Sequence, residues 1–391
     1  MDDVDAVSVR TSRPTERRGN RRQFTNPIPS IHLHRLDEGL PMKRALWRCI
    51  ALSVAGALLA GCGNSASGSL DKEPGKLTTV RIGSEKVTAD AGIFLADHLG
   101  YFRKAGIKVE YTRLKDAPAI TNALATGHLE VAGASLAPGV FQGVDRNLDL
   151  RVVGDKQSIR PGVSSTRLAV KSEYKRSSLD KTLKALRGKK IAVHSKLSIQ
   201  VYMLDNLLRR HGMSLKDFDI VPILSPDQIG ALRGGSADAA VMLEPFFTQG
   251  IEAGIVKPAS DLTEGTPRDG EVLTGLMYGK QFLEHRDTAQ AFMTAYMQGV
   301  RAYNDALFHG KNKRKVLQVI AKESKMPLSL IEKTRPCALD PEQRLDADYL
   351  DELQKFYVKQ GTLKKTVDVK KLIDPSFAKA ADKKLGAYRA P

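Results

Sequence analysis

The stretch GSEKVTADAGIFLADHLGYF, residues 83–102, decides the fold of this chain. A β-type run at residues 77–83 leads into it, and Asp90 is a candidate N-cap for a helix whose apolar side chains fall at helical spacing. A second strand is predicted at residues 108–114. Strand, loop, helix and strand form the opening βαβ unit of an open α/β sheet, in which ligands bind beyond the carboxyl ends of the strands. The loop that begins at Ser84 is therefore either a ligand loop or an ordinary βα turn.

Length and composition limit the classes of protein. The chain has 391 residues, a net charge of +17 and three cysteines, and its length corresponds to about two domains. The positive charge suits an anionic membrane surface or anionic solutes. Nucleic acid is not a predicted partner, because the charge is spread out and no helix-turn-helix, zinc or RNA-binding motif occurs. No CxxC pair is present, so we predict neither a metal site nor a redox motif.

From residue 77 onward, strands and helices alternate with short connections, as α/β units require. Strands are predicted at residues 77–83, 108–114, 129–135, 150–155, 166–171, 190–194, 219–224, 239–243 and 272–279. Helices are predicted at residues 90–99, 117–126, 138–145, 179–186, 198–211, 226–232, 245–253, 287–309, 312–324, 327–334, 346–359 and 376–387.

The pattern from residue 77 to about residue 377 resembles the solute-binding proteins of nitrate, taurine and sulfonate ABC importers. Thiamine-pyrimidine-precursor binding proteins share this pattern. After the opening stretch, the resemblance is carried by ALATGHLEVAGAS (123–135), LRVVGD (150–155), LRGKKIAV (186–193), SIQVYMLDNLLRRHGM (198–213), SPDQIGALRGGSADAAVMLEP (225–245) and LIDPSF (372–377). The glycine-serine loop of the family appears here as HSKLS (194–198). The glycine is absent, which argues against close backbone approach of a ligand at Lys196–Leu197.

The resemblance implies an α/β fold of the bilobal type II periplasmic-binding-protein class, with two open α/β lobes joined by a two-segment hinge. Lobe I is expected at residues 77–175 and 265–391, and lobe II at residues 176–264. The hinge crossings are then expected near residues 172–178 and 262–268.

The first 76 residues divide into three predicted segments. Residues 1–41 are polar and arginine-rich, so they are predicted to be disordered and not part of the functional protein. Residues 42–61 combine a basic start with an apolar run too short to span a bilayer, which is typical of a signal peptide. The end of this run, Leu59-Ala60-Gly61-Cys62, resembles the lipobox of bacterial lipoproteins, in which the cysteine is lipidated. A plain secretory signal with a chance cysteine is the alternative. Residues 62–76 are predicted to be a flexible tether.

The predicted ligand-binding residues lie at strand ends or at the mouth of the cleft. Hydroxyls, backbone N–H groups and helix N-termini hold small anions without full ion pairs. The candidates are Ser84, Lys86, Asp90, Asp116, Ser135, Ser195, Lys196, Ser198 and Glu244. Each serine is equally a helix-capping candidate, and each of the lysines and aspartates is open to interpretation as a solvated charge. Glu244, before Pro245, either holds an ammonium or aminopyrimidine group or is a helix-start acid favoured by the helix dipole. His194, on a strand, is assigned to the core or to a position behind the site.

The resemblance implies a lipid-anchored, monomeric binding protein on the periplasmic or extracellular face of the cell membrane. Its expected partners are a small polar or anionic solute such as a sulfonate, taurine or nitrate, ABC permease and ATPase subunits, and the membrane. No catalytic residue, cofactor or metal is expected. The alternatives are a binding protein for a thiamine-pyrimidine precursor, a related cytosolic pyrimidine-synthase-like enzyme that needs a committed lysine and histidine, and a sensor or adhesion lipoprotein.

Overall fold

A computed structural model describes residues 77–160, 162–263 and 271–391. The predicted signal peptide, Cys62 and the tether lie outside the described residues. The strands are β1 Thr78–Ser84, β2 Ile107–Arg113, β3 Val131–Ser135, β4 Arg151–Ile159, β5 Thr166–Val170, β6 Lys190–Val193, β7 Asp219–Pro222, β8 Ala239–Leu243, β9 Lys257–Ser260 and β10 Glu271–Tyr278.

The α-helices are α1 Ala91–His98, α2 Tyr101–Lys104, α3 Ala117–Ala125, α4 Pro138–Asp145, α5 Leu179–Ala185, α6 Ile199–Arg210, α7 Gln228–Arg233, α8 Phe246–Glu252, α9 Lys280–Glu284, α10 Arg286–His309, α11 Lys313–Ser324, α12 Leu328–Ile331, α13 Ala347–Lys359, α14 Val369–Leu372 and α15 Ser376–Leu385. Short 3-10 turns occupy Thr88–Asp90, Ser172–Tyr174, Leu215–Asp217 and Ser225–Asp227. Among the described residues, no helix combines the length and apolarity needed to cross a membrane.

The strands form two five-stranded sheets, which are the centres of the two lobes. The first sheet has the order β2-β1-β3-β10-β4 and the second has the order β7-β6-β8-β5-β9. In the first sheet β1 runs parallel to β2 and β3, and in the second β6 runs parallel to β7 and β8. One strand of each sheet, β10 or β5, is inserted antiparallel to its neighbours. The predicted bilobal α/β fold is confirmed.

The opening βαβ unit packs its apolar face against the long helix α10. Val80 and Ile82 of β1 are fully buried, as are the apolar residues of α1. The two helices approach closely because Gly92 and Gly299 face each other: a Cβ on Gly299 would lie 2.2 Å from the carbonyl oxygen of Gly92. Gly100 ends the α1 turn with a φ of 75°, a conformation that glycine adopts without steric cost.

The boundary between the lobes differs from the expected one. The strand at residues 166–171 was expected in lobe I, but β5 pairs with β8 and β9 in the second sheet. The chain therefore first crosses between Ile159 and Thr166 and not at residues 172–178. The expectation followed chain order, whereas the pairing partners of β5 come later in the sequence. The second crossing lies between Ser260 and Glu271.

The C-terminal helices connect the two lobes. Tyr202 of α6, beside the second sheet, packs edge-on against Tyr349 and Phe356 of α13, with ring centroids 6.2 and 5.3 Å apart. Tyr357 of the same helix donates a hydrogen bond to the carbonyl oxygen of Leu136 near the first sheet, at 2.9 Å. These contacts hold the two lobes together on one side of the cleft.

Candidate functional site

The carboxyl ends of β1, β3, β6 and β8 meet at one cleft between the two sheets. A cavity of about 60 Å³ lies in this cleft, and we call it the inner cavity because residues of both sheets line it. Its polar side chains come from both sheets and are Glu85, Ser135, Lys156, Gln157, Thr166, His194, Ser198, Gln200 and Thr274. Open α/β sheets bind their ligands at this position. We therefore take the inner cavity as the candidate binding site.

Four buried polar atoms in the wall of the inner cavity have no hydrogen-bond partner among the residues that the structure describes. They are Ser135 Oγ, His194 Nε2, Gln200 Nε2 and Thr274 Oγ1. A buried polar group without a partner costs about 1–3 kcal/mol, so native proteins keep few of them. Their convergence on one cavity indicates a place where a polar ligand, or the water that it displaces, completes the hydrogen bonds.

The bonds on the far side of two of these groups bear on which of their atoms donate. His194 Nδ1 lies 3.1 Å from Ser225 Oγ and 3.3 Å from the backbone nitrogen of Ser225, and in the neutral tautomer whose Nδ1 accepts this N–H the proton is on Nε2. Burial lowers the pKa of His194, which favours this neutral form. Gln200 Oε1 accepts a hydrogen bond from the N–H of His194 at 2.7 Å, which leaves the amide NH₂ for the cavity. The inner cavity thus offers N–H donors that suit an acceptor-rich ligand.

A buried ion pair lies beside the inner cavity, and its lysine, Lys156, lines the wall. Lys156 Nζ lies 2.9 Å from Asp90 Oδ1, and the two side chains are 3% and 0% exposed. Gly133 makes room for the lysine, because a Cβ there would lie 2.5 Å from Lys156 Cδ. Asp90 was predicted to be an N-cap at the cleft mouth. It is the N-cap residue of α1 but makes no side-chain capping bond to that helix, and it lies in the interior instead of at the cleft mouth. Its carboxylate pairs with Lys156 and accepts a hydrogen bond from the N–H of Val87 at 2.9 Å.

A second cavity of about 190 Å³, the outer cavity, adjoins the first. Glu85, Val87, His194 and Leu243 line both cavities. The rest of the outer wall is mostly apolar, with two cations, and consists of Arg113, Leu114, Lys115, Leu224, Ser225, Pro226 and Phe246. Burial raises the pKa of Glu85 to about 7, since the opposing effect of Lys156 is smaller than the loss of solvation.

Of the predicted binding residues, the structure brings Ser135 and Ser198 to the inner cavity. Ser198 precedes α6 but does not cap it with its side chain, because its hydroxyl donates to the carbonyl oxygen of Ser195 at 2.7 Å. Ser195 Oγ accepts from the N–H of Leu197, and Lys196 is exposed. Ser195 and Lys196 therefore stay in the loop before α6 and line neither cavity.

Three other predicted residues point away from the cavities. Ser84 is buried and its hydroxyl accepts a hydrogen bond from the N–H of Lys86 at 3.2 Å. Lys86 forms an ion pair with Glu323 at 3.1 Å and lies over the ring of Tyr111. Asp116 caps α3, where its carboxylate accepts from the N–H of Ala119 at 2.9 Å.

Glu244 is buried beside the cleft but lines neither cavity. Its Oε2 accepts a hydrogen bond from the N–H of Thr248 in the first turn of α8 at 3.1 Å, and its Oε1 accepts from the N–H of Arg335 at 3.4 Å. Burial raises the pKa of its carboxyl group. The helix-capping interpretation accounts for these contacts, and the second bond also ties the two lobes together.

Four residues of the inner cavity were not among the predicted binding residues: Glu85, Lys156, Gln200 and Thr274. His194 was predicted to lie in the core or behind the site, whereas it lines both cavities. The sequence pattern could have identified Gln200, because it lies in the first turn of a helix that starts at the predicted cleft. Thr274 had no local signal, since its strand joins the first sheet about 140 residues after Ser135.

The sequence model of the family described as NMT1/THI5 like matches residues 88–306, more than half of the chain. No curated protein has a significant sequence match. Similar solved structures include the periplasmic aliphatic sulphonate binding protein SsuA from Escherichia coli, with 19% identity over 76% of this chain and 92% of that chain and a TM-score of 0.60.

The periplasmic nitrate-binding protein NrtA from Synechocystis PCC 6803 is 15% identical over 79% of this chain and 89% of that chain, with a TM-score of 0.62. The desulfurization enzyme DSZB is also 15% identical, over 79% and 99%, with a TM-score of 0.56. At these identities the likeness shows a common fold, and the fold serves both binding proteins and an enzyme.

Proposed function

The chain belongs to the NMT1/THI5-like family, and on that premise we propose that it is the solute-binding protein of an ABC importer. It captures a small organic anion between its two lobes. The observation that carries this proposal is the convergence of four buried, unpartnered polar atoms on the inner cavity. Proteins of the same fold are described as binding aliphatic sulphonate and nitrate.

The anionic group of the solute occupies the inner cavity. Gln200 and His194 donate N–H groups there, and Ser135 and Thr274 supply hydroxyls that rotate to donate. The N-terminus of α6 also faces the cavity through residues 198–200, and the positive end of a helix dipole favours an anion. Lys156 adds a cation whose charge is balanced by Asp90, so the site does not depend on one strong ion pair.

The two cavities together favour an organic anion over nitrate. An inner cavity of about 60 Å³ holds only about four water-sized groups, which is the size of a sulfonate or carboxylate head. The outer cavity continues from it with apolar walls from Leu114, Leu224 and Phe246. A short hydrocarbon tail buried there contributes about 0.8 kcal/mol per CH₂ group.

Delivery and anchoring are part of the same proposal. The protein hands its solute to ABC permease and ATPase subunits, acts as a monomer on the periplasmic or extracellular face, and is held at the membrane by a lipid on Cys62. The support for the anchor is the Leu59-Ala60-Gly61-Cys62 sequence.

We propose binding and not catalysis because the two candidate nucleophiles of this region, Lys156 and Cys337, are not available to a solute. Lys156 pairs with Asp90. Cys337, the one cysteine among the described residues, lines neither cavity, and burial raises the pKa of its thiol. Mass spectrometry of a bound sulfonate after prolonged incubation tests this point, and recovery of a converted product would contradict it.

Isothermal titration calorimetry with a series from methanesulfonate to hexanesulfonate, together with taurine, nitrate and aminopyrimidines, tests the binding function. We expect at least one sulfonate to bind with a micromolar or lower dissociation constant, and we expect the affinity to rise with chain length along the series. Ser135→Ala and Thr274→Val should each weaken binding by about 1 kcal/mol, the usual net value of one hydrogen bond.

Ser195→Ala is the matched control, because this serine belongs to the same predicted set but lines neither cavity. It should leave the affinity unchanged. Tight binding of an aminopyrimidine without binding of any anion would favour the thiamine-pyrimidine alternative and refute the proposal.

A further inference from the structure

Glu85 lies where the inner and outer cavities meet. It is the first residue after β1, and its side chain contributes to the wall of both cavities. A carboxyl group at this junction is unexpected in a site whose other polar groups are donors. Any solute whose head reaches the inner cavity and whose tail reaches the outer one passes beside Glu85.

The charged and titratable groups that face Glu85 come from every element around it. Lys156 of β4 and Arg113 of β2 are cations, while Asp90 before α1 and Asp116 before α3 are anions. The outer cavity adds the cation Lys115 and the imidazole of His194. Lys156, the cation with the largest influence on Glu85, is already paired with Asp90, so its charge is not available to Glu85 alone.

An ionised Glu85 would repel an anionic head group in the inner cavity. Both charges would lie in a partly desolvated space, where repulsion is stronger than in water. A protonated Glu85 removes this repulsion and offers an O–H donor to the anion. The protein with protonated Glu85 should therefore bind the anion much more tightly than the protein with ionised Glu85.

We infer that the protein binds its anionic solute together with one proton, and that Glu85 holds this proton. The inference rests on the proposed function. The Glu85 carboxylate takes up one proton from the medium and becomes a carboxylic acid. Its O–H group then donates a hydrogen bond to the bound anion, and no other reactant is needed. The pKa of Glu85 is about 7 in the structure, so the proton is readily available near neutral pH. Capture is then strongest in slightly acidic surroundings.

Calorimetry with ethanesulfonate from pH 7.0 to 8.5 tests this inference. The sulfonate does not titrate in this range, and His194, whose pKa is lowered, stays neutral there. Titrations in two buffers with different ionisation enthalpies count the protons. The expected result is an uptake that approaches one proton per ligand at pH 8.5, with affinity falling towards tenfold per pH unit.

Glu85→Gln should abolish the proton uptake and flatten the dependence on pH. Asp116→Asn, the other carboxylate of the cleft mouth, should keep both, because Asp116 caps α3 outside the cavities. Circular dichroism of each variant verifies its fold.

Proton uptake that persists in Glu85→Gln would overturn the inference, as would a wild-type affinity that does not depend on pH. Tighter binding of taurine than of ethanesulfonate, without proton uptake and lost in Glu85→Gln, would show that an ionised Glu85 pairs with an ammonium group and would also overturn it. If no anion binds the folded protein at any pH, the proposed function itself fails, and this inference falls with it.

Discussion

Removal of the Lys156 ammonium should destabilise the protein far more than removal of the whole Lys156–Asp90 pair. The two charges are 2.9 Å apart and are almost completely excluded from water. At an effective dielectric constant of about 20, their attraction is about 6 kcal/mol. Desolvation of the two ions costs several kcal/mol each, so the intact pair is close to neutral in its net contribution to folding.

The single variants break this balance. Lys156→Met leaves the Asp90 carboxylate buried without its cation, and Asp90→Asn leaves the Lys156 ammonium buried without its anion. Each should lower the free energy of unfolding by about 3–5 kcal/mol. The double variant leaves no uncompensated charge, so it should recover most of this loss and show a coupling energy of several kcal/mol.

Equilibrium unfolding in urea, followed by far-ultraviolet circular dichroism, gives the four free energies of the cycle. The matched control is the Lys108–Glu110 pair of β2, which has the same 2.9 Å separation but side chains that are 59% and 50% exposed. Its coupling energy should be below about 1 kcal/mol. The two cycles therefore differ in burial and not in distance.

Measurements of ligand binding distinguish the role of the Lys156–Asp90 pair in stability from a role of Lys156 in binding the anion. If Lys156 serves the anion, the double variant is stable but binds ethanesulfonate at least about tenfold more weakly, which is 1.4 kcal/mol. A Lys156→Met variant as stable as the wild type, or a double variant no more stable than the worse single variant, would refute the reasoning about burial.

Three further predictions concern single positions. Gly133→Ala should weaken ethanesulfonate binding and cost about 1–3 kcal/mol of unfolding free energy by overpacking against Lys156. Gly139→Ala on α4, with open space around it, should do neither in the same titrations and urea curves. The fully buried Asp155 has its pKa raised to about 8, mainly by burial. The folded state therefore keeps a proton that the unfolded state has lost, and stability falls as the pH rises from about 4 to 8, by up to about 1.4 kcal/mol per unit. Asp155→Asn should remove this decline in urea curves at pH 5, 6.5 and 8, and an unchanged decline would exclude Asp155 as its source. Cys62→Ser should shift the protein from the membrane to the soluble fraction with an unchanged melting temperature, and a variant that stays at the membrane would contradict the anchor.

The sequence predicted most of the helices and strands because their signals are local. The predicted helix at residues 346–359 is observed as α13, Ala347–Lys359, and the predicted strand at residues 239–243 matches β8 at both ends. β9, Lys257–Ser260, was missed. Its residues Lys-Pro-Ala-Ser lack apolar alternation, and the strand exists because β5 offers it an edge to pair with.

The position of Lys156 shows why the site was harder to predict than the fold. The predicted strand at residues 150–155 stopped where the polar run DKQS begins, but β4 continues to Ile159. Two of the polar residues after Asp155 are compensated by partners distant in sequence, Lys156 by Asp90 and Ser158 by the backbone of Ala338. Gln157 donates to Ser165 at 2.8 Å, a residue on the far side of the crossing between the lobes. Partners so far apart in sequence leave no periodic signal.

Partners also distinguish the predicted site residues that line the cavity from those that do not. Lys86, Asp116 and Glu244 have the charges that suggest ligand binding, yet each is engaged by an ion pair or a helix terminus. Ser135 and Gln200 are less conspicuous in the sequence, yet each has a buried polar atom without a partner at the inner cavity. A group already satisfied within the protein gains little from a solute, whereas an unsatisfied one regains its lost hydrogen bond on binding. Under the proposed function, the solute is therefore recognised mainly by neutral donors, and the protonation of Glu85 decides whether its negative charge is repelled.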